Sequence, residues 1–513
     1  MKQIRYTALA LGTLCVLSLS SCVKDLNRVP TNDVTSAKVY SDTKSTYEAL
    51  AKVYGAWSLS ENDVADLDDG FTGFTRAFWN IQELPTDEAK NAWDDAALNG
   101  LNEMKWDAST GFVQGLYYRS IIQIKFANEF LVNIDASPID AGEKELMKAE
   151  ARFIRAYQYW VLMDVFGNPP FFTEKDATGK TAPKQIQRAD LFKYVESELL
   201  DILPKLKPAR QQVYGRADAG AAEALLARLY LNAEVYTGEP RYKEAAEYAE
   251  KVISSGYTLH NEYKHLFYGD NDKFRDEIIL SVVADGNNAQ SWSGPTFFVA
   301  SSFNDNVIGA LVAQGKIPGI GTNQKWGGNR ATPTFAKLFD KAPDDSRALI
   351  LRSTPDMPKL KEFNQGVHVY KFVNLRTDGS KPLHVDFCDM DFPLFRLAEM
   401  HLIYAEASLR DASVDKSKGL RYFNALRTRA GVPTVTSITL RDVLDERGRE
   451  LYWEGHRRTD LIRYKLLTTA DYMWEWKGGA EHGRAVDATR NLYPIPGSDL
   501  LANIENLKQN PGY

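Results

Sequence analysis

What most constrains the fold is a set of long amphipathic stretches in which small residues recur at helical spacing. Glu145 to Phe166 carries Phe153, Ala156, Tyr157, Trp160 and Met163 three and four residues apart, then stops at Gly167-Asn168-Pro169-Pro170. That pattern predicts an amphipathic helix with a Gly/Pro terminator. Ala221 to Tyr236 repeats it with Leu225, Leu226, Leu229, Tyr230 and Ala233. A Thr237-Gly238-Glu239-Pro240 turn follows, and then Tyr242, Ala245, Ala246, Ala249 and Ile253. Small side chains at fixed places let paired helices approach closely, and a period of about 34 residues marks tetratricopeptide-type repeats. Residues 216–256 fit that pattern well, residues 391–433 fit it more loosely, and 145–166 with 189–205 makes a third pair. The expectation is a mostly α fold of about four helix pairs, mainly within 31–256 and 391–465. Residues 257–390 differ: they are rich in Gly, Asn, Ser, Asp and Pro, with short β-like runs at Glu277 to Val283 and Val367 to Val373. An irregular stretch held on a rigid scaffold is where binding surfaces usually lie. The ligand region is therefore expected mainly in 60–100 and 257–390.

The N-terminus bears on compartment. Lys2 and Arg5 precede an apolar run from Tyr6 to Leu19, which is too short to span a bilayer. It ends at Leu19-Ser20-Ser21-Cys22, small residues standing just before a cysteine. This is the pattern of a bacterial lipoprotein signal: residues 1–21 are removed and Cys22 is acylated. Two or three acyl chains anchor firmly, at roughly 0.8 kcal/mol per buried CH2. Beyond Cys22 no apolar stretch approaches the roughly 20 residues of a membrane helix, so 22–513 is read as one soluble domain. The remaining cysteines are Cys15, within the leader, and Cys388. No disulfide is then available to the mature chain, and Cys388 reads as a small buried hydrophobe.

Catalytic signatures are missing from the sequence. Seven histidines show no metal-ligand spacing, and there is no GxSxG elbow, Walker loop or GxGxxG. Asp87-Glu88 could serve as a glycoside hydrolase pair only if two carboxylates flanked the scissile bond about 5 to 9.5 Å apart. The preceding Pro85-Thr86 makes a turn or cap the better reading. The formal charge of −6 becomes −8 once Lys2 and Arg5 leave with the leader. Basic residues do not cluster, so nucleic acid is not an expected partner.

Several stretches resemble the SusD/RagB family of outer-membrane lipoproteins from Bacteroidetes. They are Trp79-Asn80-Ile81-Gln82-Glu83-Leu84-Pro85-Thr86-Asp87-Glu88, Arg152-Phe153-Ile154-Arg155-Ala156 and Asp391-Phe392-Pro393-Leu394-Phe395-Arg396-Leu397-Ala398-Glu399. Glu446-Arg447-Gly448-Arg449-Glu450-Leu451 follows, running on through Glu454-Gly455-His456-Arg457-Arg458-Thr459-Asp460-Leu461-Ile462-Arg463, and the chain closes on Asn510-Pro511-Gly512-Tyr513. The matches span the mature chain in order. The likeness to the family's starch-binding founding member is closest around 68–93 and 216–280. The resemblance implies four tetratricopeptide-like units under an irregular ligand face. It also implies a non-enzymatic, cell-surface role: capture of polysaccharide or oligosaccharide for a SusC-like TonB-dependent transporter. The acid and arginine alternation of the 446–463 segment itself reads as a buried ion-pair network.

Sugar binding wants flat aromatic faces for the CH side of a pyranose and polar groups for its hydroxyl rim. Trp93 lies in Asn91-Ala92-Trp93-Asp94-Asp95, Trp292 in Ser291-Trp292-Ser293-Gly294, and Trp326 in Lys325-Trp326-Gly327-Gly328-Asn329. Gly and Ser neighbours favour exposure of the last two. By resemblance, all three match the founding member's aromatic arc, and Arg76 and Asp68 align with polar contacts around it. Arg76 is expected to offer its donor fork to sugar hydroxyls. Asn91 stands where the founding member has a further tryptophan, and the segment from Trp292 to Trp326 is longer. Both departures suggest a flatter platform suited to an extended β-linked glucan, leaving starch-like and plant β-glucans as candidates. Peptide or host-glycan uptake is the alternative within this fold, and a glycoside hydrolase is the alternative outside it. Trp79, inside the fold motif, is read as core. No cofactor is required. Asp270-Asn271-Asp272, with Asp276-Glu277, gathers hard oxygen ligands of the kind Ca2+ takes, and a solvated acidic turn is the competing reading.

Overall fold

The computed structural model describes residues 36–60, 67, 69–176 and 182–513. The leader, Cys22 and Asp68 lie outside the described residues. Among those described, no helix is long and apolar enough to cross a membrane.

Eight helices form a running array in which each packs on the next. They are α1 (Thr43–Gly55), α2 (Gly111–Asn133), α3 (Ala141–Phe166), α4 (Arg188–Ile202), α5 (Ala219–Leu231), α6 (Tyr242–Ile253), α7 (Leu397–Arg410) and α8 (Lys416–Arg429). The fold is mostly α, as the periodicity predicts. The pairs α3/α4, α5/α6 and α7/α8 coincide with the three pairs read from sequence, and α1/α2 supplies a fourth. Local chemistry sets the ends. Asp140 caps α3 by accepting from the Glu143 N–H at 3.0 Å, and Gly167 stops it at φ +74° ahead of the two prolines. Small residues act as expected: Gly220, Ala221, Ala224 and Ala227 of α5 are all buried. A Cβ at Gly419 of α8 would stand 2.2 Å from Ser408 Oγ of α7.

The irregular section returns to this scaffold through short antiparallel pairs. These join β1 (Lys90–Asn91) to β3 (Asn329–Arg330), and β2 (Ile278–Val282) to β4 (Phe392–Arg396). Beneath them lies a buried charge network. Arg347 pairs with Asp345, Glu446 and Glu450, while Arg396 pairs with Glu277, Glu450 and Glu454. Arg457 holds Asp87 at 2.8 Å, and Arg463 holds Glu406 at 2.7 Å. The arginine-rich motif is therefore a structural clamp between the C-terminal helices and the loops. Trp79 is fully buried, its indole donating to Trp453 O at 3.1 Å. Cys388 is buried as expected, and burial pushes its thiol pKa up.

Candidate glycan-binding site

Three distant segments deliver the tryptophans to one place. Trp93 follows β1, and the ladder brings it beside the loop that precedes β3. The Ala92 N–H donates to Gly328 O at 2.9 Å, and the Trp93 indole Nε1 donates to Gly327 O at 3.0 Å. Gly328 adopts φ +110°, and a Cβ there would fall 2.5 Å from Trp93 Nε1, so only glycine lets the backbone lie against the indole. Asn91 is fully buried. It donates through Nδ2 to Asn329 Oδ1 at 2.6 Å and accepts from the Trp93 N–H at 2.8 Å. Asn91 thereby braces the ladder.

Trp326 is fixed by its N–H donating to Ala300 O at 2.8 Å and its indole donating to Gln324 Oε1 at 2.9 Å. Gln324 Nε2 in turn donates to Asp386 Oδ1 at 2.8 Å. Trp292 stands on a loop held from below, where Ser293 O accepts from the Arg76 N–H and from Thr75 Oγ1, each at 3.1 Å.

The rings form a file. The centroids of Trp93 and Trp326 are 6.3 Å apart with planes at 56°, and those of Trp326 and Trp292 are 5.8 Å apart at 43°. Trp292 is 45% exposed. Trp93 and Trp326 are half-buried. Trp326 is less exposed than its glycine neighbours alone predict, because it lies between two other rings. The platform is not flat: with successive planes at 56° and 43°, the surface turns from ring to ring. Arg76 is half-buried, its guanidinium carbon 4.6 Å from the Phe297 ring centre, 5.1 Å from Phe112 and 5.6 Å from Trp93. It backs the Trp93 end of the file by cation–π contact.

Two other candidates resolve differently. Asp87 and Glu88 are buried. Asp87 is gripped by Arg457 and Tyr472, and Glu88 accepts from the Trp453 N–H at 3.1 Å. Neither carboxylate can face a glycosidic bond. Asp270 accepts from Thr377 N–H and Oγ1 and from Lys273 Nζ at 3.0 Å, while Glu277 is taken by Arg396 and Arg429. An ammonium in contact with Asp270 opposes a bound cation. No group of three or more His, Cys, Asp or Glu side chains placed to hold a metal ion gathers among the described residues. The sequence reading missed Phe387, Gln324 and Asp386. An aromatic ring beside an acid in an irregular stretch is the sequence signal for Phe387.

Two family profiles match the chain. One, described as the SusD family, covers residues 277–513. The other, described as starch-binding and associating with the outer membrane, covers residues 71–231. The starch-binding protein SusD of Bacteroides thetaiotaomicron is 34% identical over 98% of this chain and 97% of its own length. The chain belongs to the SusD family. A SusD-like protein of Bacteroides ovatus is 22% identical over 91% of this chain and 85% of its own length. Among solved structures, a laminarin-binding SusD-like protein superposes with a TM-score of 0.71 at 21% identity, covering 92% of this chain and all of that one. Surface glycan-binding protein A of B. thetaiotaomicron, in complex with laminarihexaose, does so with a TM-score of 0.71 at 17% identity and the same coverage. In this SusD-family chain the tryptophan file lies at the junction of the 90–93, 291–294 and 324–328 segments, all outside the helix array.

Proposed function

We propose that this SusD-family protein is a lipid-anchored cell-surface protein that captures a neutral glucan on the Trp93–Trp326–Trp292 file without cleaving it. It would then pass the chain to a SusC-like TonB-dependent transporter in the outer membrane. The observation that carries the reading is the convergence of three tryptophans from distant segments, Trp93 and Trp326 held through their own backbone and indole hydrogen bonds and Trp292 through the anchored Ser293 beside it. Rings ordered before binding lose little entropy when a sugar stacks on them. The turn from ring to ring favours a glucan whose successive faces also turn, as in starch, over a flat β-linked ribbon. Acylation at Cys22 would hold the domain at the membrane.

Affinity electrophoresis of residues 23–513 through gels containing starch, laminarin, xyloglucan or levan tests the reading. Retardation by a glucan is expected, with starch the strongest, and Trp326→Ala is expected to abolish it. If no polysaccharide retards the protein, or if Trp326→Ala migrates like wild type, the assignment fails and peptide or host-glycan uptake takes its place. Radiolabelled palmitate incorporation that disappears in Cys22→Ala would support the anchor.

A further inference from the structure

The row of rings does not stop at Trp292. Phe387 lies with its centroid 4.4 Å from that of Trp292 at 45°, and His384 follows 5.2 Å from Phe387 at 49°. Both are half-buried, and Leu383 and Val385 beside them are more than half exposed. The turn that carries them is tied at several points. His384 Nδ1 accepts from the N–H groups of Asp386 and Phe387 at 3.0 and 3.2 Å. Thr322 Oγ1 donates to Asp386 O at 3.0 Å, Asn323 N–H to Val385 O at 2.8 Å, and Cys388 N–H to Thr296 Oγ1 at 3.1 Å. Gln324 ties the middle of the file to this turn, accepting from the Trp326 indole and donating to Asp386. Because the Nδ1 lone pair is occupied by two donors, the neutral imidazole carries its proton on Nε2, where it is a hydrogen-bond donor. The turn thus unites an aromatic ring, a carboxylate acceptor and an N–H donor, the same recipe as the tryptophan site.

We propose that Phe387, with Asp386 and His384 of the same turn, forms a further sugar subsite that continues the tryptophan file. The inference rests on the glucan-capture reading and deepens it: the ligand recognised is an oligosaccharide long enough to reach from Trp93 to Phe387. Affinity therefore rises with chain length until that reach is met. Phe387 contributes to long ligands only, whereas Trp326 contributes to all.

Isothermal titration of wild type, Phe387→Leu and Trp326→Ala with a trisaccharide and a heptasaccharide of the retarding glucan tests this. Leucine fills the space of the ring but offers no flat face. Loss of one aromatic contact is worth roughly threefold to tenfold in affinity. Phe387→Leu is expected to weaken the heptasaccharide by about that factor and leave the trisaccharide unchanged, with Phe387→Tyr restoring wild-type binding. Equal weakening of both ligands would make Phe387 a mere support for Trp292 and overturn the subsite, as would no change for either. Failure of wild type to bind any chain length would instead remove the glucan-capture reading itself.

Discussion

Asp391 carries a pH dependence that a single substitution exposes. Its carboxylate accepts from Tyr214 Oη at 2.6 Å and from the Ala284 N–H at 2.8 Å, both neutral donors, and burial pushes its pKa from 3.8 up to about 7. Because the folded value lies above the unfolded one, the stability it contributes is complete below about pH 4 and is lost as pH rises toward 7. The loss is on the order of 1.4 kcal/mol per pH unit in that window. Asn mimics the protonated acid. The melting temperature of Asp391→Asn should therefore rise relative to wild type between pH 4 and 7, and parallel melting curves across that range would contradict the assignment. The placing of Trp292 and Trp326 outside regular structure was legible from the Gly and Ser beside them. Ring orientation was not: Trp93 is set by Gly327 O and Gly328, and Trp326 by a glutamine held from Asp386, contacts between segments far apart in sequence.

Among the elements, the helix pairs were the readable part, because a 3.6-residue period and small-residue spacing are local signals. The ladder of β1 and β3, two residues per strand, carries no periodicity, yet it brings Trp93 to Trp326. The clamp between the 440–451 helix and β4 was legible as alternating charge. Its centre is Glu450, which accepts from Arg347, Arg396 and Arg429. Burial alone would push the Glu450 pKa up, but the guanidiniums of Arg429, Arg396 and Arg347 outweigh it and hold the pKa well below its ordinary value. Glu450→Ala leaves three buried guanidiniums short of a partner, a loss expected to cost about 3 to 5 kcal/mol. Denaturant midpoints should shift accordingly, while the variant that remains folded binds glucan as wild type does. An unchanged midpoint would show that the network adds no stability.

For the whole molecule, a rigid helical array keeps one flank occupied with packing while the irregular loops gather an aromatic file at the surface. Helix spacing tolerates substitution, in keeping with the same overall fold in solved structures at 21% and 17% identity. The angles between the rings were not legible from composition, because they emerge only once the loops are docked. The most direct test is a crystal structure of residues 23–513 with a heptasaccharide of the glucan that retards it most. The account predicts consecutive sugar rings stacked on Trp93, Trp326 and Trp292, with the chain curving as the rings turn. Density for the oligosaccharide on another face, with these three rings bare, would contradict it.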